Sequence, residues 1–477
     1  MKPANLKGRV LAVDLDGTLI RTDMLFETFW SALAHNWTTP FVAAAGLAKG
    51  RAAVKQRLCE MSDVDVTVLP YNEDVVTYVR AWREAGGRTA LVTASDQSLA
   101  DKISAHLGIF DEAHGSDGST NLKASRKGAF LEERYGQGGF AYMGDTNADL
   151  AVWSKSAQAI THTNSKALRA RVDKLGCEVE HLSPERVSAK AVLKALRPHQ
   201  WLKNVLVFLP VFTAHALQLA TLLQALMAFV VFSLVASSVY VLNDLLDLSA
   251  DRSHPRKRKR PFASGAIPLA YGTWLAPSLL IAGFLLALPL GPNFVLVMLG
   301  YYVTTTAYSL YLKRRIIIDI CVLAGLYTIR IFAGGVATGI PLSIWLLAFS
   351  VFFFFSLAAV KRQAELADEV ASNTVTKGRG YRGEDLQLIT SMATASGYVS
   401  VLVMALYTNS PEVKALYPRP YMLLGICLVL FFWISRMVFV THRRRMHDDP
   451  VVFAVKDRVS QICGVVIGAI VVAGTIP

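Results

Sequence analysis

The sequence predicts two fold classes in one chain. Residues 1–188 read as a doubly wound α/β domain with a small helical insert, and 189–477 as an all-α domain of nine transmembrane helices. Three observations predict this. In the first part, short apolar runs ending in acidic loops alternate with helical stretches. Long apolar runs begin only near residue 201, although 53% of the whole chain is hydrophobic. Between those runs, basic residues gather in every second loop.

In the first part, Arg9–Val13 (RVLAV) is a short apolar run ending in Asp14-Leu15-Asp16-Gly17-Thr18. A buried parallel strand ending this way puts its polar residues at the carboxyl edge of a sheet, where α/β folds build their sites. Asp14 and Asp16 lie two apart, so both can point into one crevice. Further strands are expected at Arg88–Thr93, Phe140–Met143 and Gln158–Thr161. Between the first two strands, about Met24 to Val68, lies the helical insert, with Phe26, Phe29, Trp30, Trp37 and the run PFVAAAGLA. Its aromatics are read as packing within the insert, with a membrane or lipid contact as the alternative. The amino-terminal MKPANLKGR leads straight into a strand, so no secretory leader is expected. The five cysteines are scattered without a CxxC pair and are expected to be reduced and structural.

The strand ends carry related chemistry. Thr93 lies in RTALVTASD, Lys127 opens the next helix, and Gly144-Asp145-Thr146-Asn147-Ala148-Asp149 closes FAYMGDTNAD. DxDGT, Thr, Lys and GDxxxD in this order resemble the haloacid dehalogenase (HAD) superfamily of phosphohydrolases, a Rossmann-like fold with a cap at the position of the insert. The resemblance implies Asp14 as nucleophile and Asp16 as the acid that protonates a leaving alkoxide. It implies Mg²⁺ held by Asp14, the Asp16 carbonyl and Asp145, with Asp149 supporting the metal's ligands. Thr93 and Lys127 would neutralise phosphoryl oxygens; Lys123 is the rival lysine. The second aspartate favours phosphatase over dehalogenase chemistry, because a sugar or lipid alkoxide needs a proton.

In the second part, residues 188–200 (SAKAVLKALRPHQ) suit a helix lying on a membrane surface. Nine spans follow, at 201–216, 219–242, 271–290, 293–312, 316–337, 342–360, 386–407, 420–441 and 459–476, the first of them short. The loops 252–260, 313–315, 361–382 and 442–458 hold six, three, five and five Lys/Arg, whereas the alternate loops hold only Lys414 and Arg419. The positive-inside rule puts the basic loops and the α/β domain in the cytoplasm, and nine spans then put the C-terminus outside. The net charge of +13 is thereby explained without nucleic acid.

The stretch Ser237–Gly265 concentrates the chemistry of this part. On one helix Asn243, Asp244, Asp247 and Asp251 would sit at roughly 0°, 100°, 40° and 80°, a single face. Carboxylates stacked so repel one another unless a divalent cation neutralises them, and Mg²⁺ suits oxygen ligands shared with substrate phosphates. Asp319 and Arg330, eleven apart in one span, share a face, and ionisable groups inside spans are usually functional. NDLLDLSAD, followed by HPRKRKRPFASG, resembles the first acidic motif of the UbiA-type intramembrane prenyltransferase superfamily. Only Asp319 stands where many members carry a second acidic motif. RPHQWLKNVLVF, NDLLDLSADR, YSLYLK and Asp319 are similar to the branch that makes decaprenyl-phosphoryl phosphoribose.

That resemblance implies phosphoribosyl pyrophosphate (PRPP) as donor and a polyprenyl phosphate as acceptor. Asn243, Asp244, Asp247, Asp251 and Asp319 would hold a second Mg²⁺. Arg197, Lys203, Asn204, Arg252, Tyr308, Lys313, Arg330, Lys361, Arg362 and Glu365 would contact substrate. The cluster His447–Asp449 with Asp457 is read as either part of this site or a solvated loop. Together the two parts imply a bifunctional enzyme at the inner face of the plasma membrane, transferring phosphoribose and then removing its 5-phosphate. The alternatives are an aromatic or quinone-precursor prenyltransferase with a fused phosphatase, and a lipid-binding protein with a regulatory HAD domain; intact catalytic-type motifs in both halves count against the last. The sequence leaves self-association open, a homo-oligomer included.

Overall fold

The computed structural model describes residues 8–48, 50–117, 122–372, 380–446 and 449–476. By internal packing the chain divides into two units, Met1–Leu196 with Tyr240–Ala276, and Arg197–Val239 with Pro277–Pro477.

The first unit is built on a parallel sheet of six strands: β1 (Val10–Val13), β2 (Arg88–Asp96), β3 (Glu112–Ser116), β4 (Phe140–Gly144), β5 (Gln158–His162) and β6 (Glu178–Leu182). The spatial order is β3-β2-β1-β4-β5-β6, with Val10 level with Arg88 on one side and Phe140 on the other. The central strand is apolar at all four positions because both its faces are covered. Edge strands need no such run, and EAHGS and EVEHL are mixed and half-buried, which hides them from a search for apolar segments. The insert forms α1 (Met24–His35), α2 (Thr39–Leu47) and α3 (Arg51–Met61). Asp23 caps α1 by accepting from the Leu25 N–H, which fixes where the insert begins.

Among the described residues, seven helices are long and apolar enough to cross a membrane: Leu219–Leu246, Leu269–Leu290, Ile318–Thr338, Ile344–Ala371, Gly383–Thr408, Pro420–His442 and Arg458–Thr475. By length and composition they mark an integral membrane chain. Nine were expected. The segment expected at 201–216 is instead a 3₁₀ stretch, Pro198–Phe208, followed by the five-residue helix Leu209–Thr213. The segment expected at 293–312 is a helix, Pro292–Leu310, but its second half, YYVTTTAYS, dilutes its hydropathy. In the second unit Ile320, Tyr327, Phe354, Trp433 and Met437 lie in one apolar core, and Phe232, Phe294, Met298 and Tyr301 in another. The five cysteines are all free.

Candidate functional site

The first site forms where β1 and β4 end side by side. The Asp14 N–H donates to the Met143 carbonyl at 2.9 Å, locking the acidic loop to the neighbouring strand. Gly17 then turns with φ +75°; a Cβ there would lie 2.3 Å from an Asp145 oxygen, so the loop requires glycine. Asp14, Asp145 and Asp149 each offer an oxygen within 4.8 Å of the others, forming a group that could hold a cation. Lys127 is buried and sets its Nζ 2.6 Å from Asp14 Oδ1 and 2.9 Å from the Tyr142 hydroxyl. Lys123 is exposed.

Asp149 is fully engaged. Its Oδ1 accepts from the Tyr142 hydroxyl at 2.8 Å, and its Oδ2 from the Thr146 N–H and hydroxyl, each at 2.9 Å. This suits orienting the loop more than meeting a substrate. Asp16 Oδ1 accepts from the Met24 N–H at 2.8 Å, so the first residue of α1 hangs on this carboxylate, and its Oδ2 accepts from Ser95 at 3.1 Å. Thr93 is wholly buried near the end of β2, its hydroxyl accepting from the Ser95 N–H.

The electrostatics follow from crowding. Burial, with Asp23 and Asp14 adding, pushes Asp16 up to about 7. Burial raises Asp145 well above the carboxylate range, and Asp14, Asp149 and Asp16 raise it further. Burial also raises Asp14, although Lys127 pulls it back. Burial opposes the Lys127 ammonium, yet Asp14 and Asp149 hold its pKa above the ordinary value. Several carboxylates thus share one lysine, a donor set that a hard divalent cation fits.

The second acidic group lies at the end of the helix Leu219–Leu246. The helix does not run on to Asp251 as expected; it breaks at Asp247 and restarts as Leu248–Ser253. The ladder nevertheless persists, with the Asp247 N–H on the Asn243 carbonyl and the Asp251 N–H on Asp247. Asp244 and Asp251 are both buried and converge on Arg260, whose Nη1 lies 3.2 Å from Asp244 Oδ1 and 2.5 Å from Asp251 Oδ2. One cationic nitrogen therefore bridges two of these carboxylates. Asp247 and Asn243 are half-buried, and Asp244, Asp247 and Asp251 do not form a close three-oxygen group like that at Asp14.

Arg252 departs from expectation. It is buried and forms a two-pronged ion pair with Glu27 of α1, at 3.0 and 2.7 Å, while its Nε donates to the Ala263 carbonyl. These bonds all go to protein, so Arg252 fastens α1 to this segment. Its partner lies 225 positions away, beyond any local signal.

In the second unit Asp319 is wholly buried, one oxygen 2.8 Å from Arg362 Nε and the other accepting from the Tyr381 hydroxyl at 2.7 Å. Arg362 also pairs with Glu365. Asp319, Arg362 and Glu365, expected at metal and substrate, are tied to one another here. Arg330 shares the buried side of the same helix but has other partners: Asn204 at 2.9 Å, the Tyr301 hydroxyl at 3.1 Å and the Leu326 carbonyl.

Lys203 sits 2.7 Å from Asp449, Lys361 3.5 Å from the same carboxylate, and the Tyr327 hydroxyl donates to it as well. Burial alone would raise Asp449, but Lys203 and Lys361 hold it well below the carboxylate range. Asp449 is thus no solvated loop residue; its neighbours His447 and Asp448 lie outside the described residues. Asp457 pairs with Arg436 at 2.6 Å. Arg197 takes a left-handed backbone, φ 53°, before the 3₁₀ stretch, and Tyr308 and Lys313 are half-buried. Sequence reading missed Tyr142, Ser95, Glu27, Arg260, Tyr301, Tyr327 and Tyr381. Only Ser95, two along a strand from Thr93 and therefore on its face, carried a legible signal.

Known proteins bear on both units. The uncharacterized protein y4nM of Sinorhizobium fredii is 40% identical over 463 residues, covering 96% of this chain and 90% of that one. A decaprenyl-phosphate phosphoribosyltransferase of Mycobacterium tuberculosis is 44% identical over 180 residues, 37% of this chain and 60% of that one. A solved UbiA homologue from Archaeoglobus fulgidus bound to GPP and Mg²⁺ is 16% identical, covering 60% of this chain and 98% of that one, with a TM-score of 0.45. The profile of the UbiA prenyltransferase family matches residues 204–456, over half the chain, and the chain belongs to that family.

Proposed function

We propose that this chain is a bifunctional membrane enzyme. Its UbiA part transfers 5-phosphoribosyl from PRPP to a polyprenyl phosphate, and its HAD-like part then removes the 5-phosphate to leave polyprenyl-phosphoryl ribose. The observation that carries the reading is one chain holding both a UbiA sequence, similar to a decaprenyl-phosphate phosphoribosyltransferase, and a separate Asp14–Lys127–Asp145 centre.

In the transfer, an oxygen of the lipid phosphate attacks the anomeric carbon of the ribosyl group and the bond to pyrophosphate breaks. Lys203, Lys361 and Arg330 are the cations best set to hold phosphate groups, since all three meet around Tyr327 and Asp449. Asp244, Asp247 and Asp251 would receive a metal where Arg260 now stands. In the hydrolysis, Asp14 attacks the phosphomonoester phosphorus, Asp16 gives its proton to the departing alkoxide, and water then releases phosphate from Asp14. Lys127 offsets negative charge at the phosphoryl group. Mg²⁺, proposed at both sites, would neutralise the phosphoryl oxygens and the departing pyrophosphate. The basic loops favour a cytoplasmic face for both activities.

The test supplies purified protein with PRPP, Mg²⁺ and a polyprenyl phosphate, and reads lipid products by mass spectrometry. Wild type should accumulate the ribosylated lipid, and Asp14→Asn the same lipid with one more phosphate. Identical lipids from both would detach the HAD-like part from this product. Consumption of a prenyl diphosphate without use of PRPP would replace the reading with prenyl transfer.

A further inference from the structure

The insert of the first unit carries an apolar surface that neither reaction uses. From Asn36 to Ala48 the chain reads NWTTPFVAAAGLA, thirteen residues without a charge. Packing was the expected fate of its aromatics, and Trp30 is indeed buried. Trp37, Phe41 and Leu47 are not: they are 76%, 68% and 61% exposed. Trp37 and Phe41 meet edge to face with ring centroids 6.3 Å apart, making one patch of α2 and the turn before it. A patch of this kind on a water-facing domain is a liability unless something covers it.

A second observation says what covers it. The Trp30 indole N–H donates to the Thr273 hydroxyl at 3.0 Å. Thr273 lies in the first two turns of Leu269–Leu290, one of the helices apolar enough to span a bilayer. Beside it Tyr271 and Trp274 are 63% and 72% exposed, the amphipathic aromatics that mark the level of a membrane interface. The buried Glu27–Arg252 pair fastens the same α1 a second time. Trp37 lies seven residues after Trp30, just past the end of α1, so the exposed patch follows directly on the contact with Thr273.

We infer that the Trp37–Phe41–Leu47 face is a bilayer-contacting foot, seated in the interface from which Leu269–Leu290 enters the lipid. The inference goes beyond the proposed reactions and does not depend on them. It does give the phosphatase centre a reason to meet lipid-borne substrate, since α1 starts on the Asp16 carboxylate and leads into the foot.

The test places a photoreactive benzoylphenylalanine at Phe41 of the full chain, reconstitutes it in vesicles of phosphatidylglycerol and phosphatidylethanolamine, and reads adducts by mass spectrometry. Phe41 is exposed, so its replacement does not disturb a core. Lys102, an exposed charged position of the same unit, and Leu285, exposed on the spanning helix, serve as water and lipid controls. Lipid adducts at Phe41 approaching the Leu285 yield, at least tenfold over Lys102, are expected. A Phe41 yield at the Lys102 level would overturn the inference, and so would cross-linked dimers in place of lipid adducts, which would assign the face to a second copy. A second probe at Leu47 must agree with the first.

Discussion

Lys127 and Lys123 differ by one helical turn in sequence and by everything in environment. Lys127 is 4% exposed and 2.6 Å from Asp14, whereas Lys123 stands in water. Lys127→Met should lower hydrolysis of a water-soluble phosphomonoester such as p-nitrophenyl phosphate by about 10²-fold or more, the scale of losing one preorganised charge-stabilising donor. Lys123→Met should stay within about twofold of wild type by the same reasoning. Damage confined to the Lys123 variant would reverse the assignment. The sequence named both lysines and could not choose between them, because helical spacing reports a face of the helix and not what that face meets.

At the scale of elements, α1 joins the acidic loop after β1 to the short helix Leu248–Ser253. Its first N–H rests on Asp16, and one turn later Glu27 holds Arg252 with both partners almost wholly buried. Breaking a buried pair from one side strands a charge and costs about 3–5 kcal/mol, whereas an apolar pair of similar volume can be neutral. Glu27→Ala should therefore lower the unfolding temperature of the purified protein clearly, and the Glu27→Leu, Arg252→Met double variant should recover most of the loss. Equal losses in both would show that the charges themselves are required. The acidic motif was legible as a cluster on one helical face. The break at Asp247 and the arrival of Arg260 were not, since the cations of the 252–260 loop look alike in sequence and only folding selects which one turns back.

For the whole molecule, the segment Tyr240–Ala276 packs with the α/β part and not only with the spans it joins. Two perturbations should therefore part company. Asp14→Asn should spare transfer, because it changes one oxygen-bearing group and no packing. Removing residues 1–188 should lower transfer at least tenfold, because Arg252 loses Glu27 and Thr273 loses Trp30. Product formation in vesicles, with folded protein quantified by size-exclusion chromatography, measures both. Full transfer by the truncated chain would mean that the acidic segment holds its shape alone.

The sequence by itself determined the elements whose signal is local: β1, β2, β4 and β5, the helical insert, seven of the nine expected spans, the acidic loops at Asp14 and Asp145, and the acidic helix end at Asp244. Each depends on periodicity, composition or short spacing, which neighbouring residues carry. The tertiary structure decided the partners. Asp319 looked like a metal ligand because ionisable groups are expensive in spans, and Arg362 like a substrate contact at the edge of one; they meet each other across 43 positions. Arg252 looked like a substrate contact and fastens α1; Asp449, which the sequence left open between the site and a solvated loop, is held between Lys203 and Lys361. A charge in the sequence states that something must neutralise it, and only the folded chain supplies the identity and distance of what does.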